Sequence, residues 1–267
     1  MNRSAFAHPL VLTTPGFAHY SLAWSPFHNS RLAVASSANF GLVGNGRLHL
    51  TSLEPGPRGA PTLAFEKQYD TQDGLYDVAW SEIHENQIVT ASGDGTLKLW
   101  DVTLKWSPER PRSVTTLQAH TACVYQALFS PHQPDVIATC STDGTLKIFD
   151  LRVPGFVSAP PMGGAFAKAT SSAALTVPAS GTEILTLDWN KYRPFVLASA
   201  GVDKMVRVWD CRMVKLGADV AATQNAAVGG LCESQLVGHE WAVRKVQWCP
   251  HRADLLASAS YDMTCRV

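Results

Sequence analysis

"TASGDGTLKLWD" (90–101), "TCSTDGTLKIFD" (139–150) and "SAGVDKMVRVWD" (199–210) are three versions of one twelve-residue phrase. A fourth, "SASYDMTCRV" (258–267), follows the same pattern as far as it runs. Each phrase begins with small residues, turns at an aspartate and continues as an alternating apolar run. Small residues let neighbouring sheets approach closely. Asp94-Gly95 and Asp143-Gly144 suit hairpin turns, because glycine tolerates positive φ. Alternation such as "TLKLW" (96–100) suits a strand packed against a sheet. Repetition of this kind takes precedence over residue-by-residue reading, because it determines the whole architecture.

The repeat extends upstream of each phrase. An aromatic closes the first strand of five units, at Trp24, Trp80, Phe129, Trp189 and Trp248, with intervals of 56, 49, 60 and 59 residues. A small-residue strand follows each: "LAVASS" (32–37), "QIVTAS" (87–92), "DVIATCS" (135–141), "FVLASA" (195–200) and "DLLASAS" (254–260). Turn aspartates follow in the last four units, at Asp94, Asp143, Asp203 and Asp262. Ala119-His120 and Gly238-His239 precede their units as a glycine–histidine signature does. This arrangement resembles the WD-repeat β-propeller over nearly the whole chain. The resemblance implies an all-β fold of five recognisable blades, the last incomplete and one blade missing. It also implies hydrogen-bonded pairs of His120 with Asp143 and His239 with Asp262. These residues, together with Asp94, Asp203, Trp100 and Trp209, are therefore given structural roles.

The units place blades at about 17–52, 69–103, 117–152, 183–212 and 236–267 of a single domain spanning 1–267. The stretches 153–182 and 215–230, rich in small residues, read as flexible insertions. In "LWDVTLKWSPERPRSV" (99–114), two apparent blade exits lie six residues apart. The favoured reading is a blade excised between Lys105 and Trp106. An ordinary linker carrying a stray tryptophan is the alternative.

Composition narrows the function. Of 267 residues, 46% are hydrophobic and 16% charged, which describes a globular chain able to bury a core. Lysine plus arginine equals aspartate plus glutamate, 22 each, so net charge gives no argument for nucleic acid or an anionic membrane. Six cysteines form no C-x-x-C pair and read as free thiols of a reducing compartment. The first residues show neither a charged-then-apolar secretory leader nor a membrane-length apolar run, so the cytosol is expected. Asn2-Arg3-Ser4 matches a glycosylation acceptor without a secretory signal to support it. No metal-ligand spacing, nucleophile elbow or phosphate loop is present, so neither a catalytic residue, a metal nor a cofactor is expected. A binding module is the expectation.

Three departures from the generic repeat are more specific. "TPGFAHYSLAWSPF" (14–27) lacks the glycine–histidine, "NFGLVGNGRLHL" (39–50) replaces the turn aspartate, and "YDTQDGLYDVAWSE" (69–82) brings an acidic loop. Together with 184–212 and 236–267, they resemble the peroxin-7 family, receptors for the type-2 peroxisomal targeting signal. The resemblance implies a cytosolic shuttle to the peroxisome matrix, partnered by a co-receptor and a docking complex. Its ligand would be an amphipathic helical signal carrying a basic residue, apolar residues, then a histidine or glutamine. Mapped onto the blades, the ligand-binding face takes Tyr20, Tyr76, Tyr125 and Tyr261 as aromatic contacts, and Arg244 beside them. Asp73 and Glu183 would meet the signal's basic residue. A generic interaction scaffold, a histone- or RNA-binding propeller and an inactive shortened receptor remain the alternatives.

Overall fold

Alternation and aspartate turns fold the chain into five sheets, antiparallel but for one two-residue pairing, each led by one of the aromatic-closed strands. The computed structural model describes residues 10–41, 44–56, 61–104, 113–152, 173–212 and 231–267, and the backbone of 227–228. The first sheet holds β1 (Phe17–Trp24), β2 (Arg31–Ala38), β3 (Gly46–Pro55) and β4 (Pro61–Thr71) in that order. The second holds β5 (Leu75–Trp80), β6 (Gln87–Ser92), β7 (Thr96–Asp101) and β8 (Thr115–Gln118). The third holds β9 (Val124–Phe129), β10 (Val136–Ser141), β11 (Thr145–Asp150) and β12 (Leu175–Pro178). The fourth follows with β13 (Ile184–Trp189), β14 (Val196–Gly201) and β15 (Val206–Asp210). A two-residue strand, β16 (Ala227–Val228), adds to β12 in parallel, and β17 (Leu231–Leu236) completes the fourth sheet. The fifth sheet has three described strands, β18 (Val243–Trp248), β19 (Leu256–Ser260) and β20 (Cys265–Arg266).

The sheets pack in sequence as the blades of a propeller, and the core lies in the seams between them. Ala33, Ala35, Leu48 and Leu50 of the first blade meet Leu75, Val78, Trp80 and Trp100 of the second. Equivalent clusters join the second blade to the third, the third to the fourth and the fourth to the fifth. The small second-strand residues sit in these seams: Ala33, Ala35, Ala91, Ala138 and Ala198 are fully buried.

Polar fasteners run along the seams, chiefly at the position three residues before the closing aromatic, with Asp188 one residue before its own. Asp77 accepts from Ser21 Oγ of the first blade at 2.6 Å and from Ala127 N of the third at 3.1 Å. Gln126 Oε1 accepts from Thr186 Oγ1 at 3.0 Å and Leu187 N at 2.9 Å. Thr186 Oγ1 in turn accepts from Val246 N at 3.2 Å, and Asp188 accepts from Trp248 N at 2.7 Å. Buried backbone donors are thereby satisfied across blade boundaries rather than within sheets. In the fifth blade the position belongs to Lys245, an ammonium with no acceptor to offer.

The turns and pairs of the repeat take the expected form. Gly144, at φ +78°, leaves only 2.4 Å between an added Cβ and the Ser180 carbonyl oxygen, so the turn needs glycine twice over. His120 Nδ1 lies 2.9 Å from Asp143 and its Nε2 2.7 Å from Thr139 Oγ1. His239 repeats this with Asp262 and Ser258, both at 2.8 Å. Trp100 and Trp209 donate their indole N–H groups to Thr90 and Ser199 at 2.9 Å. The other two turn aspartates work without histidine. Asp94 is held by Thr96 and Lys98. Asp203 accepts from Ser180 Oγ, which stands where the histidine would, and from Arg207.

Two expectations about boundaries change. Each outer strand is drawn from residues ahead of the next unit, so a blade and a sequence unit are offset by one strand. β4, β12 and β17 therefore lie wholly or largely outside the blade limits expected from sequence, and β8 lies half outside them. The stretch 173–182, expected within a flexible insertion, contains β12, whose Leu175 and Val177 are buried against the fourth blade. Within 215–230, β16 is described. The rest of both stretches, Asn2-Arg3-Ser4, and the Lys105–Trp106 junction lie outside the described residues. The strands flanking that junction, β7 and β8, pair as neighbours.

The first blade has an uncovered side. Leu22 is 63% and Trp24 52% exposed, whereas the equivalent Val78, Trp80, Leu187 and Trp189 are 5% exposed or less. Each of those four lies in a seam with the blade before it, and the first blade has no such seam among the described residues.

Candidate functional site

The same ends of the inner strands converge on one mouth of the propeller. In four blades a backbone bond fixes this end. Gly93 N donates to Gly74 O, Thr142 N to Cys123 O, and Val202 N to Glu183 O, each at 3.0 Å, and Tyr261 N donates to Ala242 O at 3.1 Å. Below them opens a central cavity of about 360 Å³, lined by residues of all five inner strands, including Tyr20, Tyr76, Tyr125, Leu185 and Arg244.

Three of the tyrosines expected from sequence form one cluster. The Tyr20 and Tyr76 rings are 5.0 Å apart, and Tyr125 meets Tyr76 edge-on at 5.6 Å. All three are partly buried, so they offer ring faces together with hydroxyls. Burial pushes the Tyr76 hydroxyl up to about 12, helped by Cys123 and the neighbouring tyrosines. Tyr125 is raised as well, by burial and then by Cys123 and Glu183. Both hydroxyls are therefore protonated donors at neutral pH. Cys123 beside them is pushed up to about 12, chiefly by burial, so it is an inert thiol.

The charged residues flank the cluster in different ways. Asp73 accepts from Gly74 N at 2.7 Å through Oδ1, so it shapes its own loop while standing beside Tyr76. Glu183 is exposed, and its carboxylate makes no hydrogen bond or ion pair among the described residues. Arg244 is likewise exposed on the cavity wall. Tyr261 stands apart, 58% exposed, with no ring contact to the cluster among the described residues. Asp77, from the same acidic stretch as Asp73, is buried in the seam and belongs to the blade fastening.

Sequence reasoning missed one participant. A short left-handed turn, Asn39–Gly41, adjoins the cluster so closely that a Cβ on Gly41 would meet Tyr76 Oη at 2.7 Å and Tyr20 Oη at 3.4 Å. The departure of "NFG" from the aspartate turn was its visible signal. The described residues include no group of three or more histidine, cysteine or acidic side chains able to hold a metal. No helix among them is long and apolar enough to cross a membrane. All six cysteines are free thiols.

Comparison with known proteins identifies the repeat and the relatives. The family described as WD domain, G-beta repeat matches residues 65–101, 111–150, 172–210 and 230–267, more than half of the chain. The peroxisomal targeting signal 2 receptor of Saccharomyces cerevisiae is 34% identical over 322 aligned residues, covering 94% of this chain and 81% of the yeast protein. The chain belongs to the peroxisomal targeting signal 2 receptor family. The receptor of the same name in Schizosaccharomyces pombe is 28% identical over 97% of this chain and 84% of its own length. The human receptor is 31% identical over 46% of this chain and 49% of its own. The alignment to the S. cerevisiae receptor is longer than the whole 267-residue chain. That family member therefore carries residues between aligned segments with no counterpart here, enough for a further WD unit of about 40–45 residues.

Proposed function

We propose that the chain is an import receptor that binds the N-terminal type-2 targeting signal of peroxisomal matrix proteins. The observation carrying this reading is the Tyr20–Tyr76–Tyr125 cluster at the mouth of the cavity, flanked by carboxylates, in a chain of this receptor family. The signal lies across the tyrosines as an amphipathic helix, its apolar side on the rings and its polar atoms within reach of the hydroxyls. Glu183 and Asp73 meet its basic residue, and the charge-assisted bonds set its direction. Arg244 and Tyr261 extend the contact on the fifth blade. The chain acts as a binding module, not an enzyme. It picks up cargo in the cytosol, is joined by a co-receptor, and delivers the complex to a docking assembly and on to the peroxisome matrix.

Fluorescence anisotropy with a labelled type-2 signal peptide tests the reading. The expected result is micromolar or tighter binding, abolished when the basic residue of the peptide is replaced. Absence of binding by a chain that melts cooperatively would overturn it.

A further inference from the structure

We infer that Phe40 is a docking anchor for the apolar side of the bound signal helix, a role that rests on the receptor reading above. The observations start with the backbone. Asn39, Phe40 and Gly41 are consecutive left-handed residues, at φ 50°, 55° and 75°. Glycine adopts this region freely and asparagine tolerates it, but a bulky aromatic there is an outlier. A fold keeps such an outlier when its surroundings over-determine it, and these sites cluster where binding occurs.

The fold draws no packing from Phe40 in return. The turn has no buried residue, and Phe40 is 78% exposed. A side chain that strains its backbone and buries nothing is poorly explained by stability. The next residue says where the turn is anchored. A Cβ added to Gly41 would crowd the Tyr76 hydroxyl at 2.7 Å and come within 3.4 Å of that of Tyr20. Phe40 thus stands one residue from the point where the turn approaches the tyrosine cluster. The tyrosine rings lie at 58° and 86° to one another, and Phe40 adds an exposed aromatic beside them. Such an uneven aromatic surface suits a helix that presents apolar residues on one side and polar residues on the other. Aromatic side chains that a partner buries are frequent carriers of binding energy.

Phe40→Gly separates a binding role from a structural one, because the two predict opposite signs. Glycine relieves the left-handed backbone and removes nothing buried. The melting temperature should stay level or rise, while anisotropy shows the signal peptide bound roughly tenfold more weakly or worse. Phe40→Leu, which keeps an apolar side chain, should retain most of the affinity. A peptide whose apolar residues are replaced by serine should lose the difference between the native chain and Phe40→Gly. Equal binding by Phe40→Gly and the native chain overturns the inference and leaves the receptor reading standing. A fall in melting temperature that accompanies the loss of binding also overturns it, by making Phe40 structural. Failure of the native chain itself to bind removes the receptor reading and this inference together.

Discussion

His49 shows how one residue makes stability depend on pH. It lies almost wholly buried in β3, with Nε2 3.1 Å from Ser36 Oγ and no partner for Nδ1. Ser36 Oγ already donates to the Arg47 carbonyl at 2.7 Å, so it accepts from the imidazole. Protonation would place a second N–H on Nδ1 with nothing to receive it. Burial first, then Arg47 and His19, lower the imidazole to about 4, against a smaller opposing pull from Asp70. The unfolded chain takes up this proton near pH 6.5, whereas the folded chain waits until about pH 4. The stability contributed is therefore complete above pH 6.5 and is lost as pH falls towards 4. His120, also lowered mainly by burial, acts in the same direction, while Asp77 and Asp188, raised by burial, oppose it. Urea unfolding at pH 7 and pH 5 should show lower stability at pH 5, and His49→Gln should narrow the gap. At this scale the sequence discloses residues that recur in register, such as His120 and Tyr76. It does not disclose that Ser180 stands in for a histidine, or that Phe40 has positive φ, because a single occurrence carries no period and torsion angles are not written in side-chain chemistry.

Among the elements, inner strands were legible and outer strands were not. β5, β9 and β13 are apolar runs ending in an aromatic, and they are buried on both sides in the seams. Outer strands such as β8 and β12 are four residues long and lie at the edge, where no fixed residue type is demanded. β12 was hidden within a run of small residues for that reason. The seam fasteners give the element scale its test. Asp77→Ala leaves Ala127 N buried without an acceptor, which costs about 1–3 kcal/mol. Asp77→Asn should cost far less, since its carbonyl accepts from Ala127 N while its amide donates to Ser21 Oγ. It also removes a carboxyl whose pKa burial pushes upward. Chemical denaturation should rank the native chain and Asp77→Asn together, with Asp77→Ala below.

The whole molecule presents a side that its blades do not cover. Leu22 and Trp24 face outward with the packing residues of a seam and no blade against them among the described residues. Exposed apolar surface beside raw strand edges favours association between copies. Sedimentation velocity should show concentration-dependent self-association, reduced in the doubly substituted Leu22→Lys, Trp24→Gln chain without a lower melting temperature.

The one-strand offset between repeat unit and blade also sets how the molecule comes apart under tension. Pulled from the C-terminal side, the described strands release β20 first, which pairs at two residues. β19 and β18 follow, and the connection behind them leads straight to β17, the outermost strand of the fourth blade. β16, the two-residue strand capping β12, is freed next, and after β15, β14 and β13 the load reaches β12, by then the rim of the third sheet. Every sheet therefore meets the force rim first and is opened bond by bond, as a zipper, instead of being sheared along its length.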